Sequence, residues 1–163
     1  MIKDSKNTFY FFISVILIGI DQWVKYWTVT NLALGESQGF IPSVLSLTYI
    51  QNRGAAWSIL EGQMIFFFII TVIAVTVITY LLIKYRNEHW LFLLGLSFVL
   101  GGAIGNFIDR MRLGYVIDMF QTEFITFPIF NVADANLFIG VVGIFIYTIF
   151  EEKLKGTQHG KAN

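Results

Sequence analysis

Four apolar stretches dominate this chain and restrict what it can fold into. The first runs from about Phe9 to Val29 and is interrupted by Asp21 and Lys25. The second, about Met64 to Ile83, and the third, about Trp90 to Ile108, carry no charge. The fourth, about Val132 to Phe150, is broken only by Asp134. Each is close to the roughly 20 residues a helix needs to cross a ~30 Å hydrocarbon layer. In lipid, backbone N–H and C=O groups must be satisfied within the element, which makes the helix the default spanning form. A transmembrane barrel would need alternating strands of about ten residues, and none is present. Only 13% of the residues are charged, about half the share of a soluble domain. The expectation is an all-α membrane protein: one polytopic domain over residues 1–163, with spans at about 9–29, 64–83, 90–108 and 132–150.

Lys3 and Lys6 before the first apolar run resemble the start of a signal peptide. The run is long, however, and no small-x-small cleavage site follows it, so it reads as a retained first span. Four spans put both termini on one side. With the termini inside, the cytoplasmic basic residues are Lys3, Lys6, Lys84, Arg86, Lys153, Lys155 and Lys161, against Lys25, Arg53, Arg110 and Arg112 outside. The positive-inside rule favours that orientation. The polar tail from Glu151 to Asn163 is expected to fray.

The segment at about 35–60 is too polar to span and carries turn residues at Gly35, Gly39, Pro42 and Gly54. Between them, Val44 to Ile50 has β-type composition with partial alternation. A short sheet or hairpin on the outer membrane surface is expected there.

Several functions are excluded. Zero net charge gives no footprint for nucleic acid. Without cysteine there is no disulfide, thiolate zinc site or cysteine nucleophile. His89 and His159 are the only histidines, too few for a histidine-rich zinc site. Gly35-Glu36-Ser37-Gln38-Gly39 fits G-x-S-x-G by letter but lacks the strand-turn-helix setting and a histidine partner.

In this topology almost every unusual polar residue falls at the outer side: Asp21, Lys25, Asn52, Arg53, Asn106, Asp109, Arg110, Asp118, Asn131 and Asp134. Charges at membrane depth cost roughly 2.5–3.5 kcal/mol each on insertion scales, so their convergence calls for a reason. Asp118 and Asp134 are candidates for a carboxylate pair. Desolvation and like-charge repulsion would make two such groups share one proton near neutral pH, as in aspartic proteases. Equally, Asp134 could merely cap the fourth span and Asp118 be a solvated loop residue; spacing alone does not decide. Gly101 and Gly105 form a GxxxG pair suited to close helix packing. Asn106 and Arg110 share a face at i and i+4. They could hold a polar substrate group, or the stretch could be packing glue with Asp109 and Arg110 as an interfacial ion pair. Asp21 and Lys25, also i and i+4, read better as a supporting pair with Lys25 snorkelling. The tryptophans, Trp23, Trp27, Trp57 and Trp90, read mostly as lipid-facing bulk and interface anchors.

Taken together, five ordered motifs resemble the bacterial lipoprotein signal peptidases (signal peptidase II). They are Asp21-Gln22-x-x-Lys25, Asn52-x-Gly54-Ala55-Ala56-Trp57, Gly101-Gly102-Ala103-x-Gly105-Asn106-x-x-Asp109-Arg110, Gly114-x-Val116-x-Asp118 and Phe130-Asn131-x-Ala133-Asp134. The departures are small: Met119 stands where Phe is usual, and Ser58 where Gly is common. The resemblance implies four transmembrane helices with a small extracytoplasmic β-cradle and a loop able to close over the site. It implies an intramembrane aspartic endopeptidase that cuts prolipoproteins just before an S-diacylglyceryl-cysteine. Asp118 and Asp134 map onto the catalytic pair. Asn52, Asn106, Arg110 and Asn131 map onto substrate-positioning residues, with Asp21, Lys25 and Asp109 supporting them. It implies no metal or organic cofactor, lipidated signal peptides and membrane lipid as partners, no nucleic acid, and a monomer in the bacterial cytoplasmic membrane. Two other classes compete. A channel or transporter should carry ionisable residues at depth in both membrane halves, and a GxxxG-packed scaffold would not need two aspartate clusters.

Overall fold

The computed structural model describes residues 5–54 and 62–159. Ala55 to Glu61, and with them Trp57, Ser58 and the far end of the expected 35–60 cradle, lie outside the described residues, as do Lys3 and Lys161.

Seven elements follow in order: α1 Ser5–Asn31, β1 Ser37–Ile41, β2 Leu45–Asn52, α2 Met64–Lys84, α3 Trp90–Leu113, β3 Val116–Thr122 and α4 Val132–His159. Among the described residues, four helical segments are long and apolar enough to cross a membrane: Thr8–Asn31, Met64–Lys84, Trp90–Leu113 and Val132–Glu152. The expected spans are all present, with two ends displaced. The third helix runs five residues past Ile108, through Asp109 and Arg110; Asp109 is buried against Gln22 and Lys25 of α1, so its charge does not face lipid. Arg110 and Arg112 also suit the negative end of the helix dipole. Gly114, at φ 77°, ends it with its N–H donated to the Arg110 carbonyl, a left-handed cap that glycine adopts without strain. In the fourth helix, the backbone leaves helical geometry at Phe150, where the apolar span ends. Beyond that kink the chain is helical to His159, where fraying was expected.

α3 is the central element. α1, α2 and α4 all pack on it, and its buried residues recur along most of its length. Glycines set how close the neighbours come. A Cβ at Gly101 would lie 3.0 Å from Leu17 Cβ of α1, and one at Gly105 would lie 2.7 Å from Asp21 Oδ2. The GxxxG pair thus seats α1. Two further glycines seat α4: a Cβ at Gly95 would meet the Gly140 carbonyl at 2.9 Å, and one at Gly102 would run into the Ala133 carbonyl. Gly102→Ala is therefore expected to cost about 1–3 kcal/mol by overpacking. It should also lower activity, because the carbonyl it displaces immediately precedes Asp134. Thermal unfolding in detergent checks this, and an unchanged midpoint would remove the close-packing account.

The sheet is antiparallel in the order β1-β2-β3. β1 and β2 lie where a hairpin was expected. β3 was not foreseen. It pairs with β2 in a register that sets Asp118 opposite Ile50 and Val116 opposite Asn52. Asp118 therefore lies on a strand and is 1% exposed, not a solvated loop residue. A Phe120–Phe130 bridge then returns the chain to the start of α4. Met119 is wholly buried in the apolar cluster beneath the sheet, with Leu32, Tyr49 and Ile117.

Candidate active site

Three asparagines hold the two aspartates. Asn52, at the end of β2, donates its Nδ2 to Asp118 Oδ2 at 2.9 Å. Asn131 donates its Nδ2 to Asp118 Oδ1 at 2.6 Å. Asn106, on α3, donates its Nδ2 to Asp134 Oδ1 at 2.7 Å. Asp134 and Asn131 also exchange main-chain bonds. The Asp134 N–H donates to Asn131 Oδ1 at 2.9 Å, and the Asn131 N–H donates to Asp134 Oδ2 at 3.2 Å. This is a capping box in an N-x-x-D form. Asp134 therefore caps α4 and also presents a carboxylate to the site.

Fixed donors determine which way each amide points. Asn131 must turn its oxygen to the Asp134 N–H, so its NH2 faces Asp118. Asn106 accepts from Lys25 Nζ at 3.0 Å and from Asn131 Nδ2 at 3.0 Å, both through Oδ1. Its NH2 is thereby directed at Asp134. The same amide of Asn131 reaches both Asn106 and Asp118, which links the two halves of the site.

Behind the asparagines lies a buried ionic cluster. Lys25 Nζ is 2.9 Å from Asp21 Oδ2 and 2.9 Å from Asp109 Oδ2. With Asn106, its three N–H bonds are all used. Lys25 is 1% exposed, so it does not snorkel, and Asp109 pairs with it rather than with Arg110. Gln22 Nε2 joins both carboxylates, at 3.2 Å to Asp21 and 2.9 Å to Asp109. Asp21 Oδ1 accepts the Ala133 N–H at 2.8 Å, and Asp109 Oδ2 accepts the Ile117 N–H at 3.1 Å. Each supporting carboxylate thus grips the peptide immediately before one of the two candidate catalytic aspartates. Lys25 ties those two grips together.

Asp118 and Asp134 line one cavity of about 460 Å³, with Asn52, Asn106 and Arg110. Phe67 of α2 and Leu137 of α4 give it apolar walls. Asp21, Lys25 and Asp109 stand outside it. Burial, and then the charge of Asp134, push the Asp118 carboxyl up to about 7. Arg110 Nη2 donates to the Gly54 carbonyl at 2.9 Å, and its guanidinium sits 4.4 Å from the centre of the Phe67 ring. Arg53 does not line this cavity. Among the described residues, no three or more His, Asp and Glu side chains gather where they could share a metal ion. Among the described residues, the polar side chains that line the cavity are two carboxylates, two amides and a guanidinium.

The sequence profile described as Signal peptidase (SPase) II matches residues 13–150. The chain belongs to the signal peptidase II family. It is 64% identical over 145 residues to the lipoprotein signal peptidase of Enterococcus faecalis, covering 88% of this chain and 89% of that one. The lipoprotein signal peptidase of Lactobacillus gasseri is 49% identical, covering 91% of this chain and 96% of the relative. A solved structure described as a bacterial membrane enzyme superposes with a TM-score of 0.83 at 40% identity, over 89% of this chain and 90% of that one. Membership and the four apolar helices together make this a multi-pass bacterial membrane protein and a protease. The polar cluster described above lies within the matched region.

Sequence reasoning had placed Asp21, Lys25 and Asp109 in support without seeing what they hold. Phe67, which carries no polar signal in the sequence, walls the cavity and also lies under the Arg110 guanidinium.

Proposed function

We propose that this signal peptidase is an aspartic endopeptidase that cleaves prolipoproteins just before the S-diacylglyceryl-cysteine, with Asp118 and Asp134 as its catalytic pair. The observation that carries this reading is the shared cavity. Two carboxylates face it, joined through Asn131, whose side-chain amide donates to Asp118 and whose main-chain N–H donates to Asp134, and Asp118 has its pKa near neutrality. The pair holds one proton between them. The ionised member takes a proton from water as the oxygen attacks the scissile carbonyl. The protonated member donates to the carbonyl oxygen. The C–N bond of the tetrahedral intermediate then breaks as the departing nitrogen takes up a proton from the pair, and a hydroxyl of the intermediate returns its proton to the pair as the carboxyl forms. Base and acid are roles of the pair and are not assigned to either residue alone. Asn52, Asn106 and Asn131 hold the carboxylates in place, and Arg110 orients the peptide or lipid head. The enzyme works as a monomer without a cofactor. Its termini are cytoplasmic and its site is near the outer face, as the basic residues favour. Against conduction, α2 contributes no ionisable group to the cavity, and the buried charges gather at one end of the bundle.

The direct test incubates purified protein with a lipidated prolipoprotein and follows the product by mass. Wild type should release the signal peptide at the bond before the lipidated cysteine, and Asp118→Asn should not. No cleavage by wild type, or equal cleavage by Asp118→Asn, would overturn the proposal.

The raised pKa of Asp118 has a second consequence. Its unfolded value is about 3.9 and its folded value about 7, so the folded state binds this proton more tightly. The stability this proton contributes is complete below about pH 4 and is lost as pH rises through about 7. Unfolding midpoints should therefore fall between pH 5 and pH 8 more in wild type than in Asp118→Asn. Identical slopes would show that Asp118 titrates normally. Cleavage should decline on the alkaline side as the shared proton is lost.

A further inference from the structure

We infer that a second cavity, on the other flank of α2, receives one acyl chain of the substrate's diacylglyceryl group; this rests on the proposed function. The cavity has a volume of about 430 Å³ and is walled by Met64, Ile65 and Phe68 of α2 and by Phe107 and Met111 of α3. Arg110 lines both this groove and the catalytic cavity. Phe67 and Phe68 are consecutive residues of α2, and each faces one of the two.

The chemistry of the lining selects the occupant. Apart from Arg110, none of these groove side chains carries a hydrogen-bonding N–H or O–H. A peptide placed there would leave its N–H and C=O groups unsatisfied beside lipid, which is strongly unfavourable. A hydrocarbon chain has no such groups. Two methionines supply adaptable walls for a flexible chain. The substrate needs such a division. At its cysteine two apolar branches meet, a signal-peptide helix and a diacylglyceryl thioether, and both must return to lipid. The catalytic cavity opens between Phe67 of α2 and Leu137 of α4, and its polar lining suits the peptide branch. The apolar groove suits the other branch.

Arg110 stands at the junction with a donor to spare. Its Nη2 is used by the Gly54 carbonyl, while its Nε is buried without a hydrogen-bond partner among the described residues. A buried donor of this kind is unfavourable if left without an acceptor. An ester carbonyl of the diacylglyceryl group is an acceptor of the right kind at that point. Sharing Arg110 with the catalytic cavity is what assigns the groove to the substrate's chain rather than to bulk phospholipid.

The test uses a prolipoprotein peptide whose cysteine carries a dipalmitoylglyceryl group with a diazirine on one chain. It is photolysed with the full-length protein in nanodiscs, and the labelled residues are mapped. Labelling of Ile65, Phe68, Phe107 or Met111 is expected. Labelling confined to other lipid-facing residues, or equal labelling of the groove by a diazirine phospholipid alone, would overturn the assignment. A kinetic arm compares long-chain and short-chain diacylglyceryl substrates. Ile65→Trp, at an exposed rim position that tolerates bulk, should raise the long-chain to short-chain KM ratio about tenfold. Val15→Trp, on the lipid face of α1, should leave that ratio alone. An equal rise for both substrates would count against the groove. If the groove is labelled but wild type never cleaves, the functional reading fails and the groove stands. If cleavage proceeds without groove labelling, the groove fails and the functional reading stands.

Discussion

Asp134→Asn is expected to cut prolipoprotein cleavage by about 10²–10⁴-fold, the range attributed to a positioned acid or base, while leaving the protein folded. The substitution separates the two roles that Asp134 combines. As an N-terminal cap it accepts the Asn131 N–H, and as a site residue it accepts the Asn106 amide. Asparagine has one acceptor oxygen where aspartate has two, so it can keep the cap but not both bonds. Asn106 cannot turn to compensate, because Lys25 holds its oxygen. Asp134→Ala removes both bonds and strands the Asn131 N–H, adding about 1–3 kcal/mol of destabilisation. Cleavage rates and unfolding midpoints measured side by side should therefore show Asn and Ala equally inactive, but Ala clearly less stable. Near wild-type cleavage by Asp134→Asn would reduce Asp134 to a cap and dissolve the proposed pair.

That double role explains how much of the site was legible in the sequence. The spans were readable because lipid leaves the backbone few choices, and the third ran on where Asp109 is buried by protein instead of facing lipid. Asp134 was visible as a cap or a catalyst, and the geometry makes the choice unnecessary. Asp118 was harder to place. Val116-Ile117 and Met119-Phe120 carry strand composition, but the aspartate between them breaks the apolar run, and β3 pairs with a strand more than sixty residues earlier. Local pattern contains no information about such a partner. The same limit applies to Asp21. Its i,i+4 relation to Lys25 was plain, but its bond to the Ala133 N–H spans 112 positions. The convergence of polar residues at one end indicated that these groups meet. It could not say that each supporting carboxylate holds the peptide before an aspartate of the pair.

Lys25→Met tests that arrangement and should destabilise the protein by about 3–5 kcal/mol, the range for breaking a buried ion pair from one side. The charge of Lys25 is shared by Asp21 and Asp109, and all three side chains are almost fully buried. Methionine fills similar volume but leaves two carboxylates facing each other without a cation. It also removes one of the two donors that hold the Asn106 oxygen, leaving only the Asn131 amide, so the amide directed at Asp134 is less firmly oriented. Activity should then fall further than reduced folding alone accounts for. Measuring kcat at temperatures well below the unfolding midpoint separates the two effects. Adding Asp21→Asn to Lys25→Met removes one stranded charge and should recover part of the lost stability. It should not restore the rate, because Asn106 still lacks its Lys25 donor and the Ala133 N–H has a weaker acceptor. If the single variant unfolds at the wild-type midpoint, the cluster does not brace the site. If the double variant regains full activity, the orientation of Asn106 does not depend on Lys25.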